Sequence, residues 1–191
     1  FPALVSSWRH AWADDTLPFH FVQLSSIARP SWPHFRDAQR RLAQQIPHCH
    51  MAVSSDLGDS LDVHPRHKRP IGERLARIAL HHDYGYSHLT SSGPAIKHAE
   101  RKGSSLILTF DHADGLTSAD GNALRTFEIA GDHGLYYPAD KVIVKGNTIT
   151  LQSRQVKRPT RARYGWQPYT HANLANSDGL PASTFVIEVN D

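Results

Sequence analysis

The sequence predicts an α/β chain: the carboxyl-terminal part of a doubly wound sheet, in the order β-α-β-α, followed by a small β-sandwich. Three observations predict it. Residues 18–90 alternate apolar runs of strand length with stripes at helical spacing, residues from about Pro94 onward change to short β-rich segments, and Ser91-Ser92-Gly93-Pro94 separates the two. That break divides the chain into an α/β part at 1–90 and an accessory β-sandwich at 91–191.

Each element has its own signal. Phe19-His20-Phe21-Val22-Gln23-Leu24 is a mostly apolar run ending at a Ser-Ser pair, as a buried parallel strand requires. After Ser31-Trp32-Pro33, apolar Phe35, Ala38, Leu42 and Ile46 recur at helical spacing and define an expected core face, with Arg36, Arg40 and Gln44 on other faces. A second strand is expected at His50-Met51-Ala52-Val53-Ser54. Pro70 then suits the first turn of a helix whose stripe of Ile71, Leu75, Ile78 and Ala79 runs toward a stop at Gly85. Two strands and two helices cannot cover both faces of a parallel sheet, so more sheet is expected from elsewhere. In the second half, strands are expected at 105–110, 124–129, 142–144, 148–151 and 184–189, with Lys145-Gly146-Asn147 as a hairpin turn.

Composition narrows the classes. No apolar run approaches the roughly 20 residues of a membrane-spanning helix. The formal charge is +3, and its densest runs, His64-Pro65-Arg66-His67-Lys68-Arg69 and Arg158-Pro159-Thr160-Arg161-Ala162-Arg163, lack the interleaved aromatics of a single-strand binder. Neither nucleic acid nor membrane is therefore an expected partner, and both runs read as solvated surface. Cys49 is the single cysteine, so no disulfide can form within the chain.

Chemistry concentrates in Asp56-Leu57-Gly58-Asp59-Ser60-Leu61-Asp62-Val63-His64-Pro65. Gly58-Asp59-Ser60-Leu61 spells a serine-esterase signature, yet a nucleophilic serine belongs where a strand turns directly into a helix. Here the strand ends near Ser55 and the helix starts at about Pro70, so Ser60 has the wrong context. Asp62 and His64 have a better one. In Ser-His-Asp hydrolysis a histidine accepts the serine proton and a carboxylate fixes its tautomer. An Asp-x-His on a loop leaving the carboxyl end of a strand supplies both, although a surface loop leading into a helix would carry the same letters. His48-Cys49-His50 and His64-x-x-His67 lack the second cluster that a metal site needs. His81 and His82 suit the end of a helix dipole. Trp166 and Tyr169 could stack on a sugar, or be buried aromatics of the sandwich.

At these residues a resemblance emerges. Leu17-Pro18-Phe19-His20-Phe21-Val22-Gln23-Leu24, Asp56-Leu57-Gly58-Asp59, Asp62-Val63-His64-Pro65, Gly72-Glu73-Arg74-Leu75, Phe127-Glu128-Ile129-Ala130-Gly131, Arg163-Tyr164-Gly165-Trp166 and Ala172-Asn173-Leu174-Ala175-Asn176 follow one another as in the sialate O-acetylesterase family. The resemblance runs over essentially the whole chain. It implies an SGNH-type serine hydrolase sheet, an accessory sandwich, and removal of acetyl groups from sugars, whether sialic acid or cell-wall polysaccharide such as xylan or xyloglucan. It also implies His64 as general base and Asp62 as its orienting carboxylate, with Asp59 or Asp56 able to substitute. No metal or organic cofactor is implied. Gln23, Trp32 and Arg36 are candidates for substrate binding or for a structural role.

The family's Gly-Gln-Ser-Asn type motif does not occur between Phe1 and Asp191, and Phe1-Pro2-Ala3-Leu4 resembles the interior of the family's sequence. The expectation is a carboxyl-terminal fragment or subunit whose amino-terminal companion carries the serine and the oxyanion hole. The setting the resemblance implies is secreted, periplasmic or lysosomal. The alternative is a non-catalytic carbohydrate-binding or structural fragment.

Overall fold

Pro2–Trp12 forms a helix (α1), and the chain returns as Phe19–Val22 (β1) to pair with Cys49–Ala52 (β2) in parallel, Phe19 opposite Cys49 and Val22 opposite Ala52. The structure is a computed structural model and describes residues 1–189. Between the strands lies Trp32–Gln45 (α2), and after a short 3-10 turn at Ser55–Leu57 comes Arg69–His82 (α3). Pro33 and Pro70 sit in the first turns of α2 and α3, where the missing N–H removes no helical bond. Gly85, at φ 76°, follows the end of α3 in the left-handed conformation that a side chain would disfavour. No helix of the described residues is long and apolar enough to cross a membrane.

α1 is not anticipated by the sequence pattern, because Val5 alone of its residues is buried. Its aromatics nevertheless meet β1: Phe1 lies 4.9 Å from Phe21 and Trp8 6.5 Å from Phe19, ring to ring. Leu4, Trp8 and Trp12 stay exposed, as does the edge of β1 away from β2.

The core face expected of α2 needs correction. Phe35 is 54 % exposed, Ala38, Leu42 and Ile46 are half-buried, and the buried residues of the helix are Pro33, Arg36 and Asp37. The reason is that α2 packs on the loops of the second half, whose carbonyls call for a donor. Arg36 supplies it: its guanidinium donates to the carbonyls of Gly165, Gln167 and Pro168 and to Thr184 Oγ1, all within 2.7–2.9 Å.

The second half forms two four-stranded antiparallel sheets. Their strands are Ala95–Lys102 (β3), Ser105–Asp111 (β4), Phe127–Ala130 (β6), Tyr136–Pro138 (β7), Lys141–Lys145 (β8), Thr148–Gln152 (β9), Arg161–Tyr164 (β10) and Phe185–Glu188 (β12). A small pair joins Thr117–Ser118 (β5) to Leu174–Ala175 (β11). One sheet runs β3-β4-β9-β8 and the other β12-β10-β6-β7. Leu106, Leu108, Phe110, Ile149 and Leu151 of the first meet Phe127, Ile129, Ala162, Tyr164 and Phe185 of the second in one core. Burying such side chains stabilises by about 1.5–3 kcal/mol each, which makes this sandwich the main apolar store of the chain.

The expected strands at 105–110, 142–144, 148–151 and 184–189 appear with shifts of a residue or two, and Gly146-Asn147 forms the tight turn between β8 and β9. Asn190 and Asp191, at the end of the expected second unit, lie outside the described residues. The strand expected at 124–129 starts only at Phe127, because Thr126 takes φ 65°. The run 158–163 is not simply solvated surface. β10 is an interior strand whose Ala162 and Tyr164 point into the core while Arg161 and Arg163 point out. Register places Arg163 opposite Glu128 and Arg161 opposite Glu188, and both pairs close at about 3 Å. Cross-strand ion pairs explain how so charged a segment occupies the middle of a sheet.

Candidate active-site loop

The loop from Gly58 to Lys68 leaves the carboxyl end of β2 and carries Asp62 and His64. Its start is fixed by packing. A β-carbon at Gly58 would stand 2.0 Å from the Ser26 carbonyl oxygen, so only glycine permits the approach. From there carboxylates fold the chain. Asp59 accepts the N–H of Leu61 at 2.8 Å and of Asp62 at 3.2 Å, and Asp62 accepts the N–H of His64 at 2.9 Å. These backbone donors hold both carboxyls below their ordinary range, Leu61 first for Asp59 and His64 first for Asp62.

The same Asp62 Oδ1 lies 3.1 Å from His64 Nδ1. With Nδ1–H donated to the carboxylate, Nε2 presents its lone pair outward, and no described side chain engages it. The imidazole is 83 % exposed, and Leu61 and Val63 on either side are exposed as well. Such an arrangement can accept a proton from a nucleophile brought to Nε2 and stabilise the imidazolium that results.

The neighbouring acids are occupied otherwise. Asp56 makes a bidentate pair with Arg74, at 2.7 and 2.6 Å, and this clamp ties the 3-10 turn to α3. Asp59 is the loop's turn-former. Among the three acids, Asp62 is the one placed against His64. Ser60 shares the loop, but its described hydrogen bond is through its backbone carbonyl, which accepts the N–H of Ala28 at 3.1 Å. Its hydroxyl makes no hydrogen bond to His64 among the described residues.

Gln23 and Arg36 turn out to be internal. Gln23 is 1 % exposed and its amide donates to the Arg36 carbonyl and to Ser183 Oγ, while every arm of the Arg36 guanidinium is taken by protein acceptors. Of the two roles open to them, the geometry fills the structural one. Burial also pulls the Arg36 pKa down, to about 10. Trp32 packs against Phe35 and under the Arg29 guanidinium, 5.1 Å from its ring.

The remaining histidines form a cluster that the sequence pattern does not show. His50 and His82 stack at 3.5 Å, His20 lies 5.4 Å from His50, and His20 Nε2 meets Asp83 Oδ2 at 2.6 Å. His81 and His82 stand in the last turn of α3, where the helix-dipole expectation places them, and His82 also joins this stack. His81 Nδ1 bonds the Leu89 carbonyl, and burial beside His81 and His20 pushes His82 toward its neutral form. Trp166 is half-buried with His34 at its ring edge, and Tyr169 is half-buried at the wall of two clefts.

Comparison with known proteins gives this geometry its context. No protein-family model matches the chain. A carbohydrate acetylesterase from Xanthomonas citri, known by its crystal structure, is 35 % identical, with a TM-score of 0.91 over 97 % of this chain and 44 % of its own. The chain thus shares fold and ancestry with a carbohydrate acetylesterase. The sialate O-acetylesterases of Mus musculus and Homo sapiens are each 29 % identical over the whole chain. The chain is thus similar to sialate O-acetylesterases over its whole length, and spans about 40 % of the length of these relatives.

Proposed function

We propose that this chain supplies the general base, His64, and its orienting carboxylate, Asp62, to a serine-type carbohydrate O-acetylesterase. The observation that carries the reading is the single oxygen of Asp62 that binds both the backbone and the ring of His64, leaving Nε2 open. Similarity to proteins named as acetylesterases supports the reaction class.

In the proposed cycle a serine hydroxyl attacks the acetyl carbonyl while His64 Nε2 takes its proton. His64 then returns that proton to the departing sugar oxygen, leaving an acetyl-enzyme. Water, deprotonated by the same nitrogen, releases acetate and restores the serine. Asp62 keeps its proton state throughout and steadies the imidazolium.

The serine and the oxyanion donors belong, in this reading, to a companion segment or subunit. Three uncovered surfaces support it: the free edge of β1, the exposed Trp8 and Trp12 of α1, and Leu61 and Val63 beside His64. A parallel strand pair with an open edge is the arrangement onto which further strands add. A doubly wound SGNH-type sheet completed in this way, over residues 1–90, with the sandwich at 91–191 as accessory unit, follows from the proposal. So does an extracytoplasmic setting, secreted, periplasmic or lysosomal.

The test is native mass spectrometry of the purified protein followed by acetate release from acetylated sugars. A bound polypeptide bearing a reactive serine, with turnover abolished by His64→Ala in the reconstituted protein, is the expected result. Near-full turnover in that variant would remove His64 from the mechanism.

A further inference from the structure

The segment from Tyr169 to His171 separates two adjoining clefts. On one side it faces Leu124, Thr126, Glu128 and Pro138 across an opening of about 530 Å³, and on the other it faces Ser26, Asp56 and Gly58 across one of about 290 Å³. Together they have the volume of several pyranose rings. The second cleft ends at Gly58, where the loop bearing Asp62 and His64 departs. A ligand lying along Tyr169 would therefore extend from the sandwich toward that loop.

The lining selects a class of ligand. The guanidiniums near the clefts are already engaged, Arg74 by Asp56 at 2.6 Å, Arg125 by Asp120 at 2.6 Å, Arg163 by Glu128 at 2.9 Å, and the buried Arg36 by backbone carbonyls and Thr184. Arg125 also donates to the His171 carbonyl, so its charge holds the wall and is not free to meet an anion. An acidic sugar would find no unpaired cation among the described residues of either wall. What remains is an aromatic ring edge-on to an exposed imidazole, Tyr169 and His171 at 5.0 Å, with apolar Leu124 and Pro138 opposite. The Tyr169 hydroxyl makes no hydrogen bond among the described residues.

The backbone is strained to build this wall. Thr126 is β-branched yet has φ 65°, a conformation such residues rarely adopt, and its buried hydroxyl has no partner. In that conformation its carbonyl accepts the N–H of Gly165, at the start of the turn leading to Tyr169. Strain of this kind collects where a surface must be shaped for a ligand.

We propose that the double cleft is a binding site for a neutral oligosaccharide chain, with the Tyr169 ring as its stacking platform. Resting on the esterase reading for its last step, the inference makes the substrate a polymer of neutral sugars whose acetylated unit is presented to His64.

The full protein is titrated with xylohexaose, cellohexaose and, as an anionic probe, 3′-sialyllactose, and binding is followed by calorimetry and by aromatic NMR resonances. A neutral hexasaccharide should bind and shift the Tyr169 and His171 signals. Tyr169→Ala should weaken it about tenfold or more, and Tyr169→Phe less than threefold, with thermal midpoints unchanged. Binding of neither hexasaccharide, equal affinity in Tyr169→Ala, or preference for the sialylated probe would each overturn the proposal. Esterase turnover is assayed separately. Oligosaccharide binding at Tyr169 without turnover in the protein reconstituted with its serine-bearing companion would defeat the esterase reading while upholding the binding site.

Discussion

Asp62 and His64 are joined twice through one oxygen: the backbone N–H of His64 and its Nδ1 both meet Asp62 Oδ1, at 2.9 and 3.1 Å. Ring and backbone are thus oriented by the same carboxylate. Asp62→Asn removes the negative charge that steadies the imidazolium, and an amide turned to present its N–H to Nδ1 favours the wrong tautomer and gives up the backbone bond. We expect kcat of the reconstituted esterase to fall by roughly 10³–10⁴-fold with an unchanged thermal midpoint. Ser60→Ala should leave turnover within about twofold, since its hydroxyl touches neither member of the pair. A dead Ser60→Ala enzyme would reassign the nucleophile.

Gly58 fixes where this loop begins. Gly58→Ala drives a methyl group against the Ser26 carbonyl and should lower stability by about 1–3 kcal/mol through backbone displacement. Because the loop moves with it, activity should fall further than the lost folded fraction accounts for. Denaturant unfolding beside initial rates separates the two effects, and a variant as stable as the parent would refute the contact.

Arg36 should be among the costliest residues to truncate. Arg36→Ala leaves the Gln167 carbonyl without its donor and takes one of two donors from the Gly165 and Pro168 carbonyls, which keep Thr184 Oγ1 and the Ile27 N–H, a loss of about 3 kcal/mol. Arg36→Lys should recover little, because one ammonium cannot span four acceptors. Urea midpoints of the two variants check this, and a mild effect of Arg36→Ala would show that water replaces the guanidinium.

Acid should loosen the histidine cluster. Burial, then the nearby His82 and His20, lower the His50 pKa to about 4 from an ordinary value of 6.5, and His82 shifts the same way. Asp83 opposes the shift, while His48, His81 and His112 add to it on one residue or the other. Below pH 6.5 the unfolded chain takes up a proton that folded His50 refuses until about pH 4. Stability contributed by neutral His50 is therefore intact above 6.5 and lost as pH falls toward 4. Thermal midpoints measured from pH 7 to 4 should drop, and His50→Phe should flatten the slope. An unchanged slope would acquit His50.

The fold was legible where patterning is simple. β1, β2, α3 and most of the sandwich strands announced themselves by alternation, apolar runs and turn residues. α2 was legible as a helix but misjudged in orientation, since apolar periodicity marks Phe35 as inward when the demand of three distant carbonyls turns Arg36 inward instead. β3 and β10 escaped because their lysines and arginines mask the alternation of Ile96, Ala99, Ala162 and Tyr164. β3 lies at a sheet edge, where such charges deter further pairing, and β10 has acidic partners across its strands. Asp62-x-His64 could be read from spacing, and its hydrogen bonds could not. The Tyr169 wall and the His20–His50–His82 stack join residues remote in sequence, which no local pattern reveals.

The buried Arg36 also sets an order of events during folding. Its acceptor Thr184 is 148 residues farther along the chain, so α2 cannot complete its donor set until Thr184 has been synthesised. Closing a loop of that length opposes docking by on the order of 4 kcal/mol. The sandwich, with its nearest-neighbour hairpins, can begin to assemble beforehand, and the landing of α2 upon it becomes a later step that reports the arrival of β12.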